Sequence, residues 1–357
     1  MPNYFIITYG CQMNKSDSER ITSVLDNIGY KPSKREGEAD LIVVNMCSVR
    51  QSAVDRVFGL FPKFEKLKTK NSKLKTILTG CILKEDKKKF TRGFDLILDI
   101  KDLPKWPDFI KIIFPKTEIN NYFKIAPKYK NNISVFIPIS NGCNNFCTYC
   151  VVPFTRGQLT CRSHDEILKE VKNMVKKGFS EIWLLGQNVN DYRSPSNAKI
   201  NFAKLLRIIN DVPGKFKILF ISPHPKNFSP ELIVTLADCD KFGEYLNLPL
   251  QSGDNEVLKR MNRNYTTKEY KNLVKKIREK IPQIKLSTDV IVGFPGETEK
   301  QFQNTAQLLK EIKFDNAYIA KYSPRQGTAA YQIKDNVPLS EKKRREKTLR
   351  EIMKQRG

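Results

Sequence analysis

Histidine is nearly absent from this chain of 357 residues, which contains only two. His164 falls at a helix start and His224 lies between prolines, so neither reads as a catalytic base. No stretch approaches the roughly 18 uninterrupted apolar residues of a membrane span, so no contact with a membrane is expected. The first nine residues, Met-Pro-Asn-Tyr-Phe-Ile-Ile-Thr-Tyr, run straight into strand-like sequence without a basic leader and cleavage site, and the chain reads as cytosolic. Acidic residues are also scarce, 38 against 63 Lys and Arg, for a formal charge of +25. Lys and Arg gain affinity by displacing counterions from phosphates, so a polyanion is the expected partner. A lysine-rich solvated surface would carry the same charge, and charge alone does not choose among nucleic acids.

Cysteine, by contrast, is plentiful: there are eight. Disulfides in the cytosol are mostly reduced, so metal ligation explains this number better than a disulfide framework. Cys143, Cys147 and Cys150 form a Cys-x3-Cys-x2-Cys group within eight residues. Three thiolates can hold three irons of a cubane cluster and leave the fourth open to a small molecule. Structural zinc wants four protein ligands, usually as two separated pairs, and only Cys161 lies near this trio. Cys161 and Cys239 are read as non-ligands.

The chain is long enough for two domains. In residues 1–125, three short apolar runs at 4–9, 41–46 and 76–79 stop just before Cys11, Cys47 and Cys81. Ile21, Val24, Leu25 and Ile28 recur at helical spacing in 17–28, with Gly29 placed to stop the helix, and 52–64 reads as a second helix. Strand and helix alternate as in a doubly wound parallel sheet, where ligands bind beyond the carboxyl ends of the strands. That topology would gather the three cysteines at one edge as a second trio. Each cysteine alone is better explained as a buried small apolar residue than as a ligand, but three in register favour a second cluster.

Residues 126–339 change to a longer alternation. Strands are expected at 133–139, 182–185, 216–221, 245–250, 284–292 and 317–322. Helices are expected after Ser163, with Ile167, Val171, Met174 and Val175 on one face, and over 202–209, 267–280 and 298–312. Six βα units suggest a partial barrel of the TIM type with its chemistry at the strand carboxyl ends, so the Cys143 group would cap that face. The overall class is α/β. Lysine is dense in 63–89, ten against Glu65, Glu85 and Asp86, and 340–357 reads as a basic C-terminal helix or linker with eight Lys or Arg against three Glu. Each segment alone reads as a solvated surface; together they are candidates for phosphate contacts.

At this level of detail the motifs resemble a known family. The residues are Tyr9-Gly-Cys-Gln-Met-Asn14, Asn45-Met-Cys-Ser-Val-Arg50, Gly80-Cys81, Cys143 to Cys150 with Val151-Val-Pro-Phe-Thr-Arg-Gly157, Leu185-Gly-Gln-Asn-Val-Asn190, Leu248-Pro-Leu-Gln-Ser-Gly253 and Val290-Ile-Val-Gly-Phe-Pro-Gly-Glu297. They look like the methylthiotransferases of the radical S-adenosylmethionine (SAM) superfamily, over nearly the whole chain. The resemblance implies two 4Fe-4S clusters, one on Cys143, Cys147 and Cys150 that cleaves SAM, and an auxiliary one on Cys11, Cys47 and Cys81 that carries the sulfur. It also implies two uses of SAM, a polar methyl transfer and a reductive cleavage to a radical. Gln12-Met13-Asn14 resembles the branch that modifies N6-isopentenyladenosine beside the anticodon of tRNA. Other branches act on threonylcarbamoyladenosine or on a ribosomal protein aspartate, and an inactive cluster-bearing RNA-binding protein is the reading of another class.

The same resemblance places Tyr149, Gly186, Gln187, Asn188, Gln251 and Gly293 near SAM, although ordinary βα turns would explain the glycines and amides equally well. The chemistry requires the target base to be held away from water, so an aromatic and basic mouth is expected, with Phe154 and Arg156 as substrate contacts. The implied partners are the tRNA anticodon stem-loop, a reductant protein and a sulfur donor, with the chain acting as a monomer. Relatives usually continue into a small β-barrel RNA-binding module, the TRAM domain, after the segment that is 340–357 here.

Overall fold

Leu41 and Val43 enter one apolar layer with Tyr4, Ile21, Leu25, Ile77 and Trp106, whereas Ile42, Val44 and Met46 enter another with Val57, Phe64, Leu78 and Phe90. A strand buried on both faces is what a parallel sheet covered by helices requires. The computed structural model describes residues 1–49, 51–110, 121–129 and 133–355. It divides into two compact units, one of Met1–Asn132 with Phe154–Gly157 and the other of Ile133–Pro153 with Gln158–Gly357.

The first unit contains β1 (Asn3–Tyr9), α1 (Gln12–Asn27), β2 (Lys31–Pro32), β3 (Leu41–Cys47), α2 (Gln51–Phe58), α3 (Phe61–Lys70), β4 (Lys75–Cys81), α4 (Lys84–Phe90), β5 (Leu96–Ile97) and α5 (Trp106–Ile110). All its strand pairings are parallel, in the order β2-β1-β3-β4-β5. In this doubly wound order the connections diverge between β1 and β3, which opens a crevice at their carboxyl ends. The helix expected over 52–64 is in fact two. Gly59 is a poor helix former at the break, and Pro62 suits the first turn of the next helix, where no backbone donor is needed. The two-residue edge strands β2 and β5 are too short to show as apolar runs.

In the second unit, β6 (Ser134–Pro138) leads through β7 (Ser140–Asn141) into the Cys143 loop. The chain continues through α6 (Val152–Arg156), whose last three residues belong to the first unit, and then β8 (Thr160–Cys161), α7 (His164–Lys176), β9 (Glu181–Leu185), α8 (Phe202–Asn210), β10 (Lys217–Phe220) and α9 (Pro230–Asp238). It then forms β11 (Tyr245–Asn247), α10 (Asn255–Arg260), α11 (Thr267–Lys280), β12 (Lys285–Val292), α12 (Glu299–Ile312), β13 (Asn316–Lys321) and α13 (Leu339–Lys354). The six long strands pair parallel in chain order as β6-β9-β10 and β11-β12-β13. Between the trios of strands, Ile218 bonds to the backbone of Lys241 and Gly243 at 2.7 and 3.0 Å and forms a parallel bridge to Phe242. This is the open (β/α)6 arrangement that the alternation predicts. α11 and α12 begin in capping boxes, Thr266 with Glu269 and Thr298 with Gln301, which satisfy orphan backbone donors at both helix starts.

The basic segment near the C-terminus is a helix, but not a purely solvated one. Leu349, Ile352, Lys342 and Arg345 of α13 are buried. Arg345 donates to the buried carboxylate of Glu297 at 2.8 Å, and Glu297 in turn accepts the Gly293 amide at 2.6 Å. A buried pair broken on one side leaves an uncompensated charge, which costs about 3–5 kcal/mol. Arg345→Met should therefore lower the thermal midpoint sharply, and adding Glu297→Gln should restore much of the loss. Equal midpoints for the single and double variants would show that the pair does not hold α13 in place.

Candidate metal centres

Pairing of β3 with β4 runs in register to its last residues and places Cys47 beside Cys81. Cys11 follows β1 and is the N-cap of α1. The Cys47 thiol donates a hydrogen bond to the Cys81 sulfur, which holds the Cys47 thiol well above its ordinary pKa; burial and the nearby Cys81 and Cys11 sulfurs push the same way. Cys81 is pulled down by that bond, against burial, and by Arg156. Gly80 is needed for this approach: its φ is +109°, and a Cβ there would lie 2.2 Å from the Met46 carbonyl oxygen. Two asparagines lock the carriers together. Asn14 donates to Asn45 Oδ1 at 2.9 Å and to the Met46 carbonyl at 3.2 Å, while Asn45 donates to the Asn14 carbonyl at 2.8 Å and to Ser18 Oγ at 3.0 Å.

The later trio sits on a loop pinned from below. Thr148 donates its amide to the Met261 carbonyl at 3.1 Å and its hydroxyl to the Arg260 carbonyl at 2.8 Å. Asn262 reaches the carbonyls of Asn145 and Phe146 at 3.2 and 3.0 Å. Arg263 donates to Cys147 Sγ at 3.6 Å and to the Pro249 carbonyl at 3.1 Å. Burial pushes the Cys150 thiol up to about 12 and raises Cys143 as well, and the neighbouring sulfurs of the trio add to both shifts. Backbone amides oppose this. Asn145 donates to Cys143 and Val152 to Cys150, as Asn14 and Met13 do to Cys11 and Val49 does to Cys47.

These donors suit anionic sulfur, because hydrogen bonds to a thiolate favour its charged form. Each trio also has one buried arginine on one of its sulfurs, Arg156 on Cys81 at 2.9 Å and Arg263 on Cys147. Among the described residues, no group of three or more His, Cys, Asp or Glu side chains is arranged to hold a metal ion. A cubane makes a different demand, since three thiolates on three separate irons leave the fourth iron open, whereas structural zinc takes four protein ligands. Both donor sets thus fit cubane clusters better than zinc. His224 accepts the Lys226 amide, and burial drives its pKa down to about 3, so it stays neutral.

The remaining expected site residues fall into distinct places. Tyr149 packs against Val257, Met261, Phe294, Tyr322 and Ala330. Gln187 accepts the Gly142 amide at 2.6 Å, bracing the start of the cysteine loop, and a Cβ on Gly186 would lie 2.5 Å from Ser140 Oγ. Asn188 is 1% exposed, and neither its amide oxygen nor its nitrogen has a partner. Gln251 holds a left-handed φ of 67° while its backbone pairs with Asp289 and Ile291. At Gly293, φ is +69° and a Cβ would lie 2.3 Å from Lys342 Cγ, so α13 itself explains the glycine. Phe154 is 56% exposed. Arg156, expected as a substrate contact at the mouth, is instead buried in the first unit against Cys81 and Asp17, because its charge finds a carboxylate and a sulfur there. Sequence reasoning missed Asn45, Asp17, Asn262 and Arg263. Asn45 figured there only as part of a motif, and the other three carried no local signal.

Fold, loop and donor set together are those of a radical SAM enzyme, and the Radical SAM superfamily model matches residues 137–309. A second model, the uncharacterized protein family UPF0004, matches residues 3–98. The chain belongs to the family of the tRNA-2-methylthio-N(6)-dimethylallyladenosine synthases: it is 42% identical to the one from Clostridium novyi over 94% of this chain and 77% of that protein. Those of Clostridium tetani and Carboxydothermus hydrogenoformans are each 40% identical over 98% of this chain and 80% and 83% of theirs. Among solved structures, the radical SAM methyltransferase TsrM from Kitasatospora setae has a TM-score of 0.60 at 14% identity, covering 93% of this chain and 75% of its own. The cobalamin-dependent radical SAM enzyme OxsB also gives 0.60, at 12% identity, over 98% of this chain and 56% of its own. At such identities these two similarities speak for the fold alone.

Asn45 makes bonds that no apolar residue can replace. Asn45→Leu removes its three hydrogen bonds, with the Asn14 side chain, the Asn14 carbonyl and Ser18 Oγ, each worth about 0.5–1.5 kcal/mol. The thermal midpoint should fall, and anaerobically reconstituted protein should lose up to half its iron as the Cys11 carrier loosens. Undiminished iron would show that the asparagine pair is not what sets the trio.

Proposed function

We infer that this chain methylthiolates tRNA, adding sulfur and a methyl group at carbon 2 of N6-isopentenyladenosine beside the anticodon. The observation that carries this reading is the presence of two cysteine trios, one per unit, each with amide and arginine donors on its sulfurs, in a chain about 40% identical to enzymes named for this modification. When bound, the clusters and SAM supply the radical, the sulfur and the methyl group. The residues of the chain hold and shape their surroundings. Cys143, Cys147 and Cys150 would carry the SAM-cleaving cluster, and Cys11, Cys47 and Cys81 the auxiliary one.

Gln187, Asn262 and Arg263 fix the later loop by the bonds described above, so its thiolates are presented without reorganisation. Buried polar groups are nearly always paired. Asn188, with both amide atoms free of partners and lying just past β9 at the carboxyl face, is therefore the side chain best suited to bind SAM. The left-handed backbone at Gln251 is strain of the kind that collects at functional sites, and supports the same use. Tyr149 and Gly293 line that face with their glycine turn and aromatic ring. Exposed Phe154 offers a stacking surface for a base, and the excess of Lys and Arg suits the phosphates of the anticodon stem-loop. A reductant protein and a sulfur donor complete the set of partners, in the cytoplasm, with the chain acting as a monomer. No helix among the described residues is long and apolar enough to cross a membrane.

Anaerobically purified protein should carry about eight irons, two cubanes per chain. Replacing Cys11, Cys47 and Cys81 together by Ala should leave about four irons and SAM cleavage to 5'-deoxyadenosine, while mass spectrometry of tRNA hydrolysates shows no methylthio product. A thiolated tRNA from the triple variant would refute the auxiliary role. Asn188→Leu should fold as well as the parent, since no bond is lost, yet bind SAM about tenfold or more weakly, as expected when a charge-assisted or neutral hydrogen bond worth at least about 1.4 kcal/mol is removed. A drop in thermal midpoint with unchanged SAM affinity would return Asn188 to a structural role.

A further inference from the structure

Arg156 is nearly fully buried, and its guanidinium forks between two partners. Nε donates to Cys81 Sγ at 2.9 Å and Nη2 to Asp17 Oδ2 at 2.5 Å. Asp17 is anchored in turn, because its other oxygen accepts the Tyr122 hydroxyl at 2.5 Å. Over the Tyr122 ring lies Arg20, 5.3 Å from the centroid and bonded to Ser16 Oγ at 2.7 Å. Ser16, Asp17 and Arg20 all belong to α1, the helix capped by Cys11. One chain of bonds therefore runs from the Cys11 helix through a carboxylate and a guanidinium to the sulfur at the end of β4.

We propose that Arg156 is a positioning residue of the early trio, whose charge-assisted hydrogen bond to Cys81 holds the reduction potential of the cluster bound there above the value the thiolates alone would give. Reduction places added negative charge partly on the ligating sulfurs. A cation and an N–H donor at such a sulfur stabilise the reduced form, and burial strengthens the effect. Asp17 opposes it only from the far side of the guanidinium, whose Nε is the atom in contact with Cys81. Asp17 also serves geometry, because a forked guanidinium held on one side is aimed on the other.

The proposal rests on the reading that Cys11, Cys47 and Cys81 hold a cluster, and the test separates the two. The full-length chain with Cys143, Cys147 and Cys150 all changed to Ala is reconstituted anaerobically, its iron counted, and the midpoint read by redox titration followed by electron paramagnetic resonance. About four irons support the cluster reading; none overturns that reading and the proposal with it. In the same background, Arg156→Gln should move the midpoint to more negative potential by at least a tenfold change in the reduced-to-oxidised ratio, about 59 mV for one electron. Arg156→Lys, which keeps charge but not the fork, should move it less. An unchanged midpoint in Arg156→Gln overturns the proposal. Should that variant bind no iron, the Lys variant decides: a negative shift supports the proposal, and an unchanged midpoint overturns it.

Discussion

Anionic sulfurs repel one another, and a fold that assembles three of them must hold each carrier rigidly and supply positive partial charge. Both units meet this constraint with the same means. Strand ends or a braced loop fix the backbone, amides point at the sulfurs, and a single buried arginine donates to one of the three. Register carries much of the load in the first unit: a one-residue slip between β3 and β4 would turn Cys47 and Cys81 to opposite faces. The apolar layers on either side of β3 forbid that slip, so packing remote from the sulfurs sets their geometry.

The second unit solves the problem differently, because its cysteines are close in sequence and need no sheet to gather them. Their difficulty is loop entropy. The turn at 260–263 removes it with five side-chain and backbone bonds to the loop, and Gln187 ties the loop's start. Left-handed φ values at Phe146 and Asn262, 47° and 55°, place bends on both sides of this contact. The backbone is thus bent where the two segments grip each other, and straight where strands feed them.

Elements with strong periodicity were legible from residues alone. Ile21, Val24, Leu25 and Ile28 announced α1, Ser163 with the apolar face of Ile167, Val171 and Met174 announced α7, and apolar runs announced β1, β3, β4 and the six strands of the open barrel. Cys143, Cys147 and Cys150 announced themselves by spacing, and the early trio by its place after each strand. What stayed hidden depends on partners far apart in sequence. Arg156 looked like a basic residue at a mouth because nothing local reveals that Asp17 waits for it, and the close approach of Lys342 to Gly293 is equally invisible locally. Asn14 and Asn45 read as motif letters, whereas their mutual bonds exist only once β1 and β3 are paired. Periodicity reports one-dimensional order, and polar networks are three-dimensional.

The clasp between Arg345 and Glu297 bears on the order in which the protein can mature. α13 follows every barrel strand in the chain, so during synthesis the turn after β12 emerges with an acidic side chain whose counter-ion has yet to be made. Until α13 docks, Glu297 would favour water over the interior, and the Gly293 turn would stay unsettled. Settling of the turn after β12 is thereby left to the docking of α13, a helix that comes after all six barrel strands in the sequence.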